Sequence, residues 1–318
     1  MGILVEGHDF ALVYDAGSND DSAKGEENRF VAYLRAVGVG TKIDHVILSH
    51  PHKDHVELLP DVFANYTVGR FWDSGAKTGE CAYEQVIAAV KKQNIEYHSA
   101  TQASGVHDID FTKACDKQKQ IHGYSVNHGQ QIKAGQAVAL GKGAKMTFIY
   151  ADDTTERDPN DNSLVVRLDL GTTKVLLMGD AGGGGRDDPN HEPKASSIEA
   201  HLLASNRAGL KADILVVGHH GSKTSSRRTF VEAVSPRVAV VSSGPKKYGS
   251  VTLPDTAVID LLAEKARVFR TDRDDETCGD NDSKIGTDSD GEPGGCDNIQ
   301  ITINGTQQLK SRYWTTAD

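Results

Sequence analysis

Between positions 49 and 55 the chain reads Ser49-His50-Pro51-His52-Lys53-Asp54-His55. Three imidazoles and a carboxylate in six positions are too costly to bury without a partner. They are the donor types that a borderline divalent cation such as Zn²⁺ or Mn²⁺ takes. Alternate residues of an extended segment face the same way, so His50 and His52 can grip one ion while Asp54 and His55 reach a second. Asp180, in Gly179-Asp180-Ala181, follows the apolar run 174–178, where a carboxylate is well placed to bridge two ions. His219 and His220 follow a second apolar run, 214–217. A pair of ions about 3.5–4 Å apart would acidify a water between them to hydroxide and offset charge developing on a phosphoryl or acyl oxygen. Asp54 would orient that nucleophile, with His220 beside it as the second residue of the catalytic pair, and Ser222, Lys223, Tyr248 and Asn162 are the expected substrate contacts.

These groups need strand ends to hold them. The pattern predicts a hairpin from Ile3–Glu6 and Phe10–Tyr14, a helix from about Glu27 to Ala36, and a strand over Ile43–Ser49 feeding the histidine loop. A helix is expected over Tyr83–Gln93. Strands are expected at Met146–Tyr150, Ser163–Leu170 and Lys174–Met178. Strand–helix alternation then follows: helices at about Ser197–Ala208, Arg228–Val234 and Asp255–Lys265, strands at Ile214–Val217 and Val238–Ser242, and a last strand at Ile299–Ile303. Such an order implies α/β sheets covered by helices. The stretch 100–141 is polar and irregular and reads as an insertion or long loop within one domain spanning 1–318.

At 318 residues, 37% hydrophobic and 25% charged, the chain is long and apolar enough for a sizeable core. No stretch approaches the ~18 apolar residues of a membrane helix. The net charge of −10 is mostly local: residues 272–297 hold ten acids against two bases, leaving the remainder near −2. An acidic total therefore says little against a nucleic-acid partner. Cys278 and Cys296 bracket this acidic Gly/Asp-rich loop, and a disulfide between them would favour an oxidising, extracytoplasmic compartment over the cytoplasmic alternative. Met1-Gly2 leads straight into Ile3-Leu4-Val5 with no basic leader, an abrupt start that suggests a trimmed upstream strand or leader.

The motif set resembles the metallo-β-lactamase superfamily, and within it the soluble ComEC/Rec2-like branch. The resemblance rests on Val13-Tyr14-Asp15-Ala16-Gly17, the HxHxDH at 50–55, Asp161-Asn162-Ser163-Leu164 with the apolar run after it, and Leu177-Met178-Gly179-Asp180-Ala181. Val217-Gly218-His219-His220-Gly221-Ser222-Lys223-Thr224, Tyr248-Gly249 and Arg270-Thr271-Asp272 complete it. It implies a four-layer αββα sandwich with two divalent ions at the edge between two sheets. By position, Asp180 would bridge the ions, His219 or His220 would serve the second, and Asp15 would orient a ligand histidine. The superfamily's third histidine for the first ion should lie near 160–163, where this chain has Asn160-Asp161-Asn162-Ser163. Glu57-Leu58 stands where the branch has two glycines, and Ser250-Val251-Thr252 where it has a His-Pro-His-Pro run.

ComEC-like relatives are associated with nuclease activity in DNA uptake, so the leading expectation is a metal-dependent phosphodiesterase or nuclease acting on DNA or a small phosphodiester. Basic residues near the motifs (Lys53, Lys223, Arg227, Arg228, Lys246 and Lys247) suit a phosphate backbone. The alternatives are an ester, lactone or β-lactam hydrolase on the same centre, and a metal-stabilised binding protein without catalysis, to which the histidine lost at Ser250 points. Gly182–Gly185 lacks the Lys-Ser/Thr of a phosphate loop and reads as a flexible link. The 280–297 segment lacks EF-hand spacing. His45 lies mid-strand and reads as a packed histidine or one that supports a ligand rather than as a ligand itself, and His98, His107, His122 and His128 show no site-like spacing.

Overall fold

In the central strands both faces are apolar, and the side chains alternate between two hydrophobic layers. Val46 and Leu48 pack on one side of their strand and Ile47 on the other; Leu176 opposes Val175 and Leu177 in the same way. A strand with two buried faces must lie in the middle of a layered fold. The computed structural model describes residues 1–19, 24–25, 28–76, 78–112, 115, 121–156, 158–244, 247–248, 250–272, 298–304 and 309–313.

The first sheet contains β1 (Gly2–Glu6), β2 (Ala11–Ala16), β3 (Lys42–Leu48), β4 (Thr67–Asp73), β5 (Glu96–Ser99), β6 (Gly105–Thr112) and β7 (Ile121–His128), in the order β1-β2-β3-β4-β5-β7-β6. The second contains β8 (Ala137–Gly141), β9 (Ala144–Tyr150), β10 (Val165–Leu170), β11 (Thr173–Leu177), β12 (Ile214–Val216) and β13 (Val238–Val241). Two short strands, β14 (Lys247–Tyr248) and β15 (Val251–Thr252), form a separate hairpin, and β16 (Arg267–Arg270) completes the second sheet in the order β16-β13-β12-β11-β10-β9-β8. A last hairpin, β17 (Ile299–Ile303) with β18 (Leu309–Tyr313), lays its apolar side chains against the core between the sheets.

Helices α1 (Arg29–Ala36), α2 (Lys53–Val56), α3 (Leu59–Asn65) and α4 (Cys81–Gln93) connect parallel strands of the first sheet. Helices α5 (Ile198–Asn206), α6 (Arg228–Val234) and α7 (Thr256–Ala263) do so in the second. Three hydrophobic layers result. Phe30, Leu34, Val62 and Phe63 pack the first helices on one sheet; Leu12, Ile47, Trp72, Phe148 and Val166 fill the space between sheets; Ile198, Leu202, Phe230 and Leu262 pack the later helices. This is the four-layer αββα sandwich. α1 begins where Asn28 accepts from the Val31 amide, and Asn28 also donates to the Leu58 carbonyl and to Asp61, so one side chain caps α1 and ties it to α3.

The stretch 100–141 corrects the expectation of irregular structure. Residues 105–111 alternate strictly, with Val106, Asp108 and Asp110 exposed and His107, Ile109 and Phe111 turned inward. The inward positions mix histidine and tyrosine with apolar residues, which hides the period of two from a hydropathy reading. β6 and β7 extend the first sheet, and β8 extends the second. The glycine-rich segment is likewise no flexible link: Gly183 donates to the Thr224 carbonyl, Lys194 donates to the Gly183 carbonyl and Glu199 to that of Gly182. A Cβ on Gly183 would meet Glu199 Oε2 at 2.4 Å, so glycine is needed for close packing. Cys278 and Cys296 lie outside the described residues, as does the 280–297 segment; among the described residues a disulfide joins Cys81, at the start of α4, to Cys115.

Two buried histidines make the fold sensitive to acid. His45 is held neutral, pushed down to about 4 by burial and by Arg70, and its Nδ1 accepts from the Trp72 indole. His128 is also pushed down to about 4, by burial and by His107 and His98, and neither ring nitrogen has a hydrogen-bond partner. An unfolded histidine titrates near 6.5. The native state therefore binds fewer protons between pH 6.5 and 4, and stability is lost as pH falls through that window. His128→Phe removes one such group and an unsatisfied polar ring. Urea denaturation should find this variant at least as stable as the parent at pH 7.5, with its advantage widening by roughly 2 kcal/mol towards pH 4; a constant difference across the range would show that His128 does not titrate this way.

Candidate metal centre

The expected metal ligands and Asp15 sit at the carboxyl ends of strands. Asp15 is the last residue but one of β2, β3 runs into His50–His55, β11 into Asp180, and β12 into His219 and His220. β2 pairs with β3 in parallel and β11 with β12, so the ends of each pair point one way, and the two sheets bring them to a common rim. One turn of helix at α2 folds Asp54 and His55 back over the rim that His50 and His52 have just crossed. The approach is tight: a Cβ on Gly17 would lie 2.2 Å from the His55 nitrogen, so glycine alone lets β2 lie against the ligand loop.

Two groups of side chains converge that could hold metal ions: His50, His52 and Asp180, and Asp54, His55 and His220. In the first, His50 Nε2 lies 3.1 Å from His52 Nδ1 and 3.7 Å from Asp180 Oδ2. In the second, His220 Nε2 lies 3.3 Å from Asp54 Oδ2, 3.3 Å from His55 Nε2 and 3.6 Å from Asp180 Oδ1, while His55 Nε2 is 3.1 Å from that same oxygen. Ligands placed tetrahedrally at about 2.0–2.1 Å from zinc are about 3.3 Å apart, which these spacings match. Asp180 Oδ1 is buried and makes no hydrogen bond, although two imidazole nitrogens point at it. A buried carboxylate oxygen left in this way fits a cation site.

The second ring nitrogens of His50, His55 and His220 are occupied, and this orients the ones that face Asp180. His55 Nδ1 donates to Asp15 Oδ2 at 2.8 Å, and Asp15 also accepts from the amide and hydroxyl of Ser49. His220 Nδ1 donates to the Ser242 carbonyl at 2.8 Å. His50 Nδ1 lies 3.1 Å from Ser49 Oγ and 3.4 Å from Ser163 Oγ, and Ser163 Oγ in turn accepts from the Asp180 amide. Asp15, His219 and His220 all have left-handed backbones, with φ of 56°, 48° and 54°. For non-glycine residues this conformation costs of order 1–3 kcal/mol each and clusters at functional sites.

The electrostatics are those of a crowded anionic pocket. Burial alone would push His55 down, but Asp180 and Asp15 outweigh it and lift the imidazolium to about 10. Burial would raise Asp180, yet His55, His220 and His219 hold it well below the usual carboxylate range. His50 is pushed well down by burial and by its neighbour His55, which keeps it a neutral donor. Three carboxylates, those of Asp15, Asp54 and Asp180, thus share a site 18% exposed or less. Buried charge of this kind calls for a compensating cation.

The other expected contacts divide. Tyr248 reaches the centre: its hydroxyl donates to Asp54 Oδ2 at 3.0 Å and accepts from the Asn19 amide at 2.9 Å. Asn162 is buried, accepting from the Glu156 amide and donating to the Thr154 carbonyl. Ser222 is buried and accepts from Arg186 and Thr224. Lys223 is half-buried. Arg227 and Arg228 correct the reading of a basic patch. Arg227 is 1% exposed and donates to the Asp188 and Gly185 carbonyls, while Arg228 pairs with Glu264. A sequence read for charge cannot tell a guanidinium that braces a loop from one that meets solvent. Lys246 lies outside the described residues. Asn19 and Arg186 lie outside the motifs, and only the fold brings them to the site.

Residues 2–111 match the model of the Metallo-beta-lactamase superfamily. ComE operon protein 3 of Bacillus subtilis is 23% identical over 248 residues, covering 78% of this chain and 26% of the relative. Recombination protein 2 of Haemophilus influenzae is 25% identical over 262 residues, covering 82% and 25%. The chain thus spans about a quarter of the length of these relatives. CmlA, a diiron beta-hydroxylase from Streptomyces venezuelae, aligns in structure with 12% identity over 85% of this chain and 51% of its own, at a TM-score of 0.45. Residues 2–111 thus match a metallo-beta-lactamase domain, and over about four fifths of its length the chain is similar to ComE operon protein 3 and Recombination protein 2.

Proposed function

We propose that this chain is a two-metal hydrolase that cleaves phosphodiesters, with DNA as the substrate. The reading is carried by one observation: Asp180 turns one carboxylate oxygen to His50 and the other to His55 and His220, so two sets of donors share one residue. When bound there, a pair of Zn²⁺ or Mn²⁺ ions supplies the Lewis acidity that makes water nucleophilic near neutral pH and offsets charge on a phosphoryl oxygen. His50, His52 and Asp180 would hold one ion, and Asp54, His55, His220 and Asp180 the other. Asp54 sits at the open edge of the second set, 18% exposed, and can accept a proton or hydrogen bond from the attacking water.

Tyr248, 42% exposed at the rim, stays a hydroxyl donor because burial and Asp54 both raise its pKa. It stands two residues before Ser250, near the position where a histidine is missing, and can hydrogen-bond an oxygen of the substrate. DNA is favoured because the curated relatives include one named a recombination protein and one named a competence protein. The Cys81–Cys115 disulfide fits an oxidising compartment. Among the described residues no helix is long and apolar enough to cross a membrane.

Two measurements test this. Incubated with Mn²⁺ or Zn²⁺, the protein should degrade DNA and bis(p-nitrophenyl) phosphate but leave nitrocefin and simple esters intact, and DNA affinity should fall as salt rises. His52→Ala should remove this activity by at least about 100-fold, since it takes away a donor and not merely a partner of one. Turnover of nitrocefin or an ester without phosphodiester cleavage would replace the reading with a hydrolase of that class. Metal uptake without any turnover would replace it with a binding protein. Separately, Asp15→Asn keeps the shape of the side chain but removes the charge that orients His55; chelator competition should show metal affinity falling about 10–100-fold. Unchanged affinity would mean that Asp15 serves the fold alone.

A further inference from the structure

Resting on the two-metal reading, a further assignment concerns the donor set of His50, His52 and Asp180, which supplies only three ligands. The structure gives no histidine from the segment where the superfamily's third one is expected. Ser163 lies there instead, its hydroxyl taken up by the Asp180 amide and turned towards His50 Nδ1. Asn162, beside it, is consumed by the Glu156 amide and the Thr154 carbonyl. A closed zinc site has four ligands, whereas a catalytic one keeps three from protein and one open position, so this set has room for one more.

His219 lies outside this group of mutually close donors but faces the same carboxylate. Its Nε2 is 3.8 Å from Asp180 Oδ2, the same oxygen that faces His50 at 3.7 Å, whereas His220 Nε2 faces Asp180 Oδ1. Neighbouring side chains on an extended strand point to opposite faces and could not both reach one carboxylate. Here both residues are left-handed, at φ/ψ of 48°/45° and 54°/27°, and the chain turns so that the two imidazoles straddle Asp180. Such strain persists only where the surroundings fix it.

The surroundings do fix His219. Its Nδ1 lies 2.7 Å from Thr224 Oγ1, and the Thr224 hydroxyl donates to Ser222 Oγ at 3.0 Å, so the threonine oxygen is left to accept from the imidazole. Ser222 also accepts from Arg186, which forks onto both oxygens of Asp255, and Asp255 accepts from the Lys223 amide. This brace sets the tautomer: the proton sits on Nδ1 and the lone pair on Nε2, aimed at Asp180. We infer that His219 is the fourth protein ligand of the first ion and His220 the ligand of the second, so that a single left-handed His-His step gives one imidazole to each ion across Asp180.

The test uses the full chain, stripped with a chelator, reloaded with Zn²⁺ and measured for bound metal per chain, with affinity from competition against a chromogenic chelator. Wild type should hold two ions. His219→Ala should hold one under the same conditions, and His219→Ala combined with His52→Ala should still hold one, because both changes empty the same place. His219→Ala combined with His220→Ala should hold none. Thr224→Val, which leaves every ligand and the fold in place, should retain both ions but bind the weaker one about 10–100-fold less tightly. Two ions bound by His219→Ala with wild-type affinity would overturn the assignment, as would loss of both ions from the His52 double variant. A wild type holding fewer than two ions would instead overturn the two-metal reading beneath it.

Discussion

A carboxylate that is buried, ionised and only half satisfied governs the rim of this protein. Asp180 is 3% exposed, its pKa is held well down by His55, His220 and His219, and Oδ1 has no hydrogen bond. An isolated charge in such a place would cost many kcal/mol, so what surrounds it must compensate. The fold provides that by stacking two sheets whose central parallel strands end at the same rim: β3 delivers histidines from one sheet, and β11 and β12 deliver Asp180, His219 and His220 from the other. Neither sheet alone brings together enough donors. The apolar layer between the sheets, built from Leu12, Ile47, Trp72, Phe148 and Val166, is therefore as necessary to the centre as the ligands themselves.

The same constraint explains where the backbone is strained. Left-handed residues at Asp15, His219 and His220 would be a net loss in an ordinary loop. At this rim each aims a side chain at another element: Asp15 turns to His55 and Ser49, while the two histidines turn to opposite oxygens of Asp180. Rigid support is supplied from behind. Arg227 is buried and grips the carbonyls of Asp188 and Gly185, while Glu199 accepts from the amides of Ser226 and Arg227. The segment that follows the two histidines is thereby locked to the glycine-rich turn that follows Asp180.

Much of this was legible in the sequence where the chemistry is local. HxHxDH occupies a single loop, so its spacing alone specifies its purpose, and Asp180 and the His219-His220 pair are legible because each follows an apolar run that can only be a strand. The helices came through wherever apolar residues recur on one face, as in α4 and α6. What stayed hidden depends on three-dimensional pairing. β6 and β7 turn His107, Tyr124 and His128 inward, so their alternation is invisible to hydrophobicity. The Cys81–Cys115 bond joins a helix start to a distant connection and has no spacing signature. Arg227 reads as surface charge but is buried because backbone carbonyls, not acids, pair with it, and Asn19 and Thr224 acquire meaning only through the partners the fold gives them.

Those hidden roles change the account of how an anionic substrate would be attracted. The chain carries a net charge of −10, two arginines that looked available for phosphate are committed to the fold, and three carboxylates gather at the rim. Unloaded, that rim would repel a phosphodiester. Two divalent cations would bring four positive charges against the three of Asp15, Asp54 and Asp180, and the sign of the local field would reverse. Attraction of the substrate and activation of water would then depend on the same occupancy, with surface lysines such as Lys53 and Lys223 adding only a screened contribution. A site arranged in this way needs no broad basic patch to take a nucleic acid. Its affinity for phosphate would be tied to the ions, so the acidity of the chain as a whole is compatible with the proposed DNA substrate.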